Sequence, residues 1–285
     1  MKVMNKIKGF YRILRFELPI SAGVCVVMGQ LLALGKFAAF NEILLGFFSI
    51  FLISASILVL NDYFDIETDK INAPDRTIPS GIISPKQALS YGILLQGLGL
   101  LFSYFLSLGT FFFAVVLSIV GFLYNSKFKK SGLLGNLMVC FSVGMTFIYG
   151  GMSVGLPFDK SIWFFAIIAA LIDLGEEIAA DSMDMQGDMI INSNSLAIKY
   201  GKVIAVRTSV YIFSIVIMLS AVPFILGWFS LPYLIPIMIM DASIGYSSVK
   251  IISSKKEEGR KYIRWIYLGA TLGLLVFIAM KFFDI

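Results

Sequence analysis

Nine apolar stretches, each able to cross a hydrocarbon core of ~30 Å, constrain this chain more than any other feature. They cover residues 18–35, 42–60, 87–107, 109–125, 133–155, 161–180, 203–226, 230–249 and 263–283, and Pro232, Pro236 and Asp241 interrupt the eighth. Lipid offers no partner to an unpaired backbone group, so segments of this length fold as helices. The expected class is therefore all-α, an integral membrane bundle of nine transmembrane helices. With 58% hydrophobic residues in 285, and a mean hydropathy of +0.88, no sizeable water-exposed domain fits beside them. Lys2, Lys6, Lys8, Arg12 and Arg15 precede the first stretch without a small-residue cleavage site, which reads as the basic flank of a first helix rather than a signal peptide. Cys25 and Cys140 lie inside apolar runs and are expected to be buried and free.

Charge orients the bundle. Of the 23 Lys and Arg residues, all but Lys36, Lys160 and Lys281 fall on one side if the connections alternate across the membrane. The positive-inside rule then puts the N-terminus and the polar connections in the cytoplasm, and the C-terminus outside, in a multi-pass protein of the cell membrane.

Two clusters hold 11 of the 18 acidic residues. Asp62, Asp65, Glu67, Asp69 and Asp75 crowd one inside connection, and Asp173, Glu176, Glu177, Asp181, Asp184 and Asp188 crowd the end of the sixth stretch and the loop beyond it. Asp62, Asp65 and Asp69 stand at i, i+3 and i+7, and Asp181, Asp184 and Asp188 repeat that interval. Each set lies on one helical face, where like charges repel and a helix C-terminus disfavours them further. A divalent cation relieves both problems. The chain has no histidine, so a metal must be held by oxygen, which favours Mg²⁺ with substrate phosphates completing its shell. Each acidic array is followed by a turn-rich loop (Asn72 to Gly81, and Asn192 to Leu196) and a new helix. This suggests a single domain over 1–285 with related halves of about 1–130 and 131–285 around a central cavity.

These residues resemble the UbiA superfamily of intramembrane prenyltransferases. Asn61-Asp62-Tyr63-Phe64-Asp65-Ile66-Glu67-Thr68-Asp69 matches its NDxxDxxxD pattern, and Asp181-Ser182-Met183-Asp184-Met185-Gln186-Gly187-Asp188 its DxxDxxGD pattern. The stretch from Pro74 to Ser84 is similar to its RPLPSGxIS loop, and Tyr124 with Lys127 to a YxxK element. The second motif departs from the family in one respect. A basic RExxKD arrangement often precedes it there, whereas Glu176-Glu177-Ile178-Ala179-Ala180-Asp181 stands here.

The resemblance implies nine helices around a cavity, two Mg²⁺ ions bridging a diphosphate, and prenyl transfer to an acceptor. The layout is most like the archaeal branch that joins a geranylgeranyl group from geranylgeranyl diphosphate to geranylgeranylglyceryl phosphate in ether-lipid synthesis. On that basis Asn61, Asp65 and Asp69 are expected to hold one metal, and Asp184 and Asp188 the other, with Asp62 and Asp181 assisting. Arg76, Lys127 and Lys130 are candidates for phosphate contacts, with Tyr124 and Ser80 also at the substrate and Lys127 also among the catalytic residues. Tyr63, Tyr124 and Tyr149 are candidates to flank an allylic cation. Two other readings remain open from the sequence: prenyl transfer to an aromatic acceptor in quinone synthesis, and divalent-cation transport.

Overall fold

The structure, a computed structural model, describes residues 2–283, with the side chains of 2–5 and 256–257 outside the description. Lys2 and Lys256, counted above among the inward cations, therefore lie outside the described side chains. A short basic helix, α1 (Lys2–Ile13), leads into α2 (Glu17–Leu34) and α3 (Phe40–Phe64). After the short α4 (Ile66–Asn72) come α5 (Pro85–Leu106), α6 (Leu108–Leu123) and α7 (Leu133–Ser153). The second half contains α8 (Lys160–Ile190), the short α9 (Leu196–Tyr200), α10 (Lys202–Leu219), the single turn α11 (Val222–Ile225), α12 (Leu234–Ser253) and α13 (Lys256–Phe282).

The helix ends follow local sequence chemistry. Ser84 caps α5 by accepting from Gln87 N at 3.3 Å, and Gln87 Oε1 accepts in turn from Ser84 N at 3.1 Å, with Pro85 in the first turn. Ser107 and Asp159 accept from backbone N–H groups at the starts of α6 and α8. In the interrupted eighth stretch, Pro232 sits in the 3₁₀ turn before α12 and Pro236 in the first helical turn, where the missing N–H costs little. Asp241 accepts a 2.7 Å hydrogen bond from Ser220.

Among the described residues nine helices have sixteen or more residues, matching the nine expected segments. Eight are long and apolar enough to cross a membrane. The ninth, α8, has the length, but Asp173, Glu176 and Glu177 break its apolar run. At 31 residues it is about 46 Å long, well beyond a ~30 Å hydrocarbon core. Its last third therefore lies beyond the apolar span 161–180, carrying Asp181, Asp184 and Asp188 with it.

Small residues bring the backbones together, as lipid-embedded bundles require. A Cβ on Gly29 would lie 2.3 Å from the Phe147 carbonyl oxygen, and one on Gly150 2.2 Å from that of Val26, so α2 and α7 touch along their backbones. Gly155 serves a turn rather than a helix contact. Its φ of +79° places it in the turn after α7, with open space around its Cβ position. Tyr149, a candidate for flanking a cation, is instead fully buried, with its hydroxyl 2.7 Å from Ser49 Oγ and 2.8 Å from Ser103 Oγ. Helix α2 packs on α3 and α7, α7 on α8, α8 on α10 and α13, and α13 returns to α2. This ring encloses a cavity of about 440 Å³, lined by apolar side chains such as Met28, Ile53, Phe147, Phe165 and Phe277, with Asp173, Glu176 and Glu177 in its wall.

Candidate active site

The first acidic motif straddles a helix break. Helix α3 ends at Phe64, Asp65 adopts φ −93° and ψ 9°, and α4 begins at Ile66. The helical phase survives this joint, because Asp65 N donates to the Asn61 carbonyl at 2.9 Å and Asp69 N to that of Asp65 at 2.8 Å. Asp62, Asp65 and Asp69 are all buried. The second motif lies on continuous α8, and a glycine brings the two motifs together. A Cβ on Gly187 would fall 2.1 Å from Asn72 Nδ2, and the same Nδ2 donates to the Asp184 carbonyl at 3.3 Å. The glycine of DxxGD thus lets the end of α4 lie directly on α8.

Cations fill the space between the carboxylates. Arg15 pairs with Asp62, and Lys129 with Asp65. Arg76 Nη1 lies 2.5 and 2.6 Å from the two Asp69 oxygens and 3.5 Å from Asp62. Arg260 pairs with Asp184 and donates to the Asn72 carbonyl at 3.2 Å. Lys129 is also within electrostatic reach of Glu177, Asp181 and Asp188, so it stands between the two motifs. Charge is unevenly shared in the first cluster. Burial pushes the Asp69 carboxyl above its ordinary value despite Arg76 beside it. Burial also works against the charged form of Arg76, but Asp62 and Asp69, with Asp65 further off, outweigh it and raise the guanidinium.

Neutral groups complete the mouth. Asn61 donates its amide N–H to Asn125 Oδ1 at 3.0 Å, and Asn125 in turn donates to the Ile57 carbonyl at 3.0 Å. Asn136 Nδ2 donates to Asp181 at 3.0 Å. Tyr124 is within electrostatic reach of Glu177, Asp181 and Asp65, which places it between the motifs. The solvated remainder of the acidic crowd behaves as ordinary surface: Glu67 meets Lys70 at 2.7 Å with both side chains mostly exposed, and Asp75 is exposed.

Three sequence candidates are not brought to the carboxylates. Lys127 is exposed, its ammonium 5.5 Å from the centre of the Phe128 ring. Lys130 is exposed, and its backbone carbonyl accepts from Asn194 N at 2.9 Å. Ser80 is exposed and turns its hydroxyl to the Thr77 carbonyl at 3.4 Å. The lysine shift has a local cause. Residues Tyr124–Phe128 form a π-helical turn, with Lys129 N bonded to the Tyr124 carbonyl. Lys129 closes this wider i→i+5 turn and is the lysine that pairs with Asp65. Arg15, Arg260, Asn125 and Asn136 were also missed. Arg15 reads in sequence as one more flanking cation, although its positive φ of 45° marks a built turn. Arg260 stands 76 residues from its partner Asp184, a separation no local pattern bridges.

The residues suit a hard divalent cation by donor chemistry: carboxylate oxygens from both motifs, an amide from Asn61 and no imidazole. Among the described residues no three acidic or thiol groups converge tightly enough to hold an ion. The Asp62, Asp65, Asp69 and Asp184 carboxylates are turned to cations, and these pairs must open for a metal to bind.

Comparison with known proteins narrows the chemistry. The UbiA prenyltransferase family pattern matches residues 22–281. The chain is 35% identical to the digeranylgeranylglyceryl phosphate synthase of Methanococcus aeolicus, covering 92% of this chain and 94% of that one. It is 32% identical to the enzyme of the same name from Methanocaldococcus jannaschii, over 96% of both chains. A solved structure described as a digeranylgeranylglyceryl phosphate synthase superposes with a TM-score of 0.70 at 31% identity, covering 97% of this chain and 98% of that chain. A UbiA homologue from Archaeoglobus fulgidus, solved with GPP and Mg²⁺ bound, shares the fold at a TM-score of 0.68 and 16% identity, over 94% of this chain and 99% of that one. With a pattern match over nearly the whole chain and relatives this similar along their full length, this protein belongs to the UbiA prenyltransferase family.

Proposed function

We propose that this membrane prenyltransferase moves a geranylgeranyl group from geranylgeranyl diphosphate to the glycerol hydroxyl of geranylgeranylglyceryl phosphate. The observation that carries this reading is the run of synthases of that name at 31–35% identity, the first of them covering 92% of this chain. The site is consistent with it. A polar, cation-rich mouth opens onto an apolar cavity of about 440 Å³, a size typical of small-molecule sites and a lining suited to an isoprenoid tail. The acidic arrays lie at helix ends beyond an apolar span, which favours a transferase over a transporter with ligands at the bilayer midplane.

Asn61, Asp65, Asp69, Asp184 and Asp188 would hold divalent metal, two Mg²⁺ ions in this reading, with Asp62 and Asp181 in support. Bound metal supplies Lewis-acid stabilisation of the departing diphosphate. Arg15, Arg76, Lys129 and Arg260 sit where that negative charge develops. Each can turn from its carboxylate to a phosphate oxygen, Arg as a fork and Lys as a point charge. The apolar wall excludes water from the allylic cation. We place the mouth and N-terminus on the cytoplasmic side and the C-terminus outside, on the charge asymmetry of the connections. The whole chain acts as one domain with two related halves, each supplying one acidic motif.

Purified protein in lipid nanodiscs, given labelled geranylgeranyl diphosphate and geranylgeranylglyceryl phosphate, is expected to form a two-chain product that disappears with EDTA. Turnover with an aromatic acceptor alone would move the chain to the quinone-forming branch, and metal flux without transfer would refute a transferase.

A further inference from the structure

The mechanism above leaves three acids unused. Asp173, Glu176 and Glu177 lie about one to two turns deeper on α8 than Asp181, at i, i+3 and i+4, so they share a face. All three line the central cavity, below the diphosphate mouth and level with the apolar wall. Asp173 Oδ2 and Glu176 Oε1 are fully buried and have no hydrogen-bond partner. Among the described residues none of the three makes an ion pair, whereas Asp62, Asp65, Asp69 and Asp184 at the mouth each do. The charged and titratable groups around them are Glu17 of α2 with Arg264 of α13 paired at 2.9 Å, Tyr267 of α13 in the same cavity wall, Cys140 of α7, and, towards the mouth, Tyr124, Lys129, Asp181, Asp184 and Asp188. Burying an ionisable group in a membrane bundle without a partner is costly and is retained for a purpose. A free acceptor oxygen inside a reaction cavity calls for a ligand that donates a hydrogen bond.

We propose that Asp173 and Glu176 form the station for the acceptor's hydroxyl group and that the Glu176 carboxylate receives its proton. This rests on the transferase reading above. As the donor's C–O bond breaks, its electron pair leaves on the diphosphate. The acceptor oxygen forms a new C–O bond to the allylic carbon, and its hydroxyl proton passes to Glu176. Asp173 accepts no proton and orients the hydroxyl. The acidic wall also repels phosphate, so an acceptor that carries one must direct it towards the basic mouth and only its hydroxyl downwards.

The test uses the full-length protein in nanodiscs. Glu176→Gln preserves shape, and we expect it to lower kcat for transfer by roughly 100-fold or more. Donor binding should stay within about threefold of wild type, and slow hydrolysis of the donor should persist, because ionisation does not need the acceptor. Asp173→Asn should raise KM for the acceptor more than it lowers kcat, and Glu176→Asp should recover part of the lost rate. Transfer by Glu176→Gln at the wild-type rate would overturn the proposal, as would loss of donor binding and transfer together. A second arm needs no turnover: carbodiimide labelling of Glu176, read by mass spectrometry, should be suppressed by 1-O-geranylgeranylglycerol and not by the matching hydrocarbon lacking hydroxyls. Equal labelling with either probe would refute the hydroxyl station. If wild type fails to transfer but Glu176 is protected, the transferase reading falls and the hydroxyl station stands.

Discussion

The two acidic motifs share one spacing and sit in different electrical surroundings. Asp62, Asp65 and Asp69 meet Arg15, Lys129 and Arg76, which come from the turn before α2, the 3₁₀ turn that follows the π turn, and the loop after α4. Asp184 meets Arg260, Asp181 meets only the neutral amide of Asn136, and Asp188 makes no ion pair among the described residues. The first motif is thus held together by the protein's own cations. The second has fewer cations of its own, and burial raises the Asp181 and Asp188 carboxyls to about 7. Identical spacing specifies which side chains share a face, whereas the counter-charge depends on what distant segments bring to that face.

The comparison can be tested at several strengths. The largest effect is expected from removing a principal carboxylate. Asp65→Ala and Asp184→Ala should each lower transfer by about 10²–10³, the scale of deleting one preorganised electrostatic group; activity near wild type in either would remove that motif from the site. Next comes the lysine pair. Lys129→Met should cost roughly 100-fold in kcat/KM, while Lys127→Met should stay within about threefold, and the reverse ranking would mean the π turn does not set the inward cation. A smaller effect separates the motifs by metal demand. Asp188→Asn should raise the Mg²⁺ concentration for half-maximal rate by about tenfold, a loss of ~1.4 kcal/mol in metal binding, and Asp62→Asn by less. Hydrogen exchange should report the same asymmetry without catalysis: EDTA is expected to deprotect residues 181–195 more than 61–80, and equal deprotection would contradict it. The smallest effect lies away from both motifs. Tyr149→Phe removes the hydroxyl between Ser49 and Ser103 and should cost about 1 kcal/mol of stability, lowering Tm slightly with transfer unchanged.

Much of this was legible in the sequence, for identifiable reasons. A membrane span leaves a run of apolar residues whatever surrounds it, so all nine long helices could be read locally. The acidic motifs were legible because their chemistry depends on helical spacing, which is a property of neighbours in the chain. Even the break at Asp65 did no harm, since the backbone bonds across it keep the phase. The YxxK resemblance points to Lys127 and cannot show that the chain, after a π turn, carries Lys129 to Asp65.

The amino-acid order by itself determined the all-helical membrane class, the two carboxylate arrays and the hard-oxygen character of any metal site. Those follow from transfer of side chains between water and lipid, and from the fixed pitch of a helix. Tertiary structure alone decided which cation meets which carboxylate and how closely the arrays approach through Gly187. It also left Asp173 and Glu176 in the cavity wall without a partner. These outcomes depend on distances between segments as far apart as Asn72 and Arg260, and Coulomb attraction and hydrogen bonding act through space rather than along the chain.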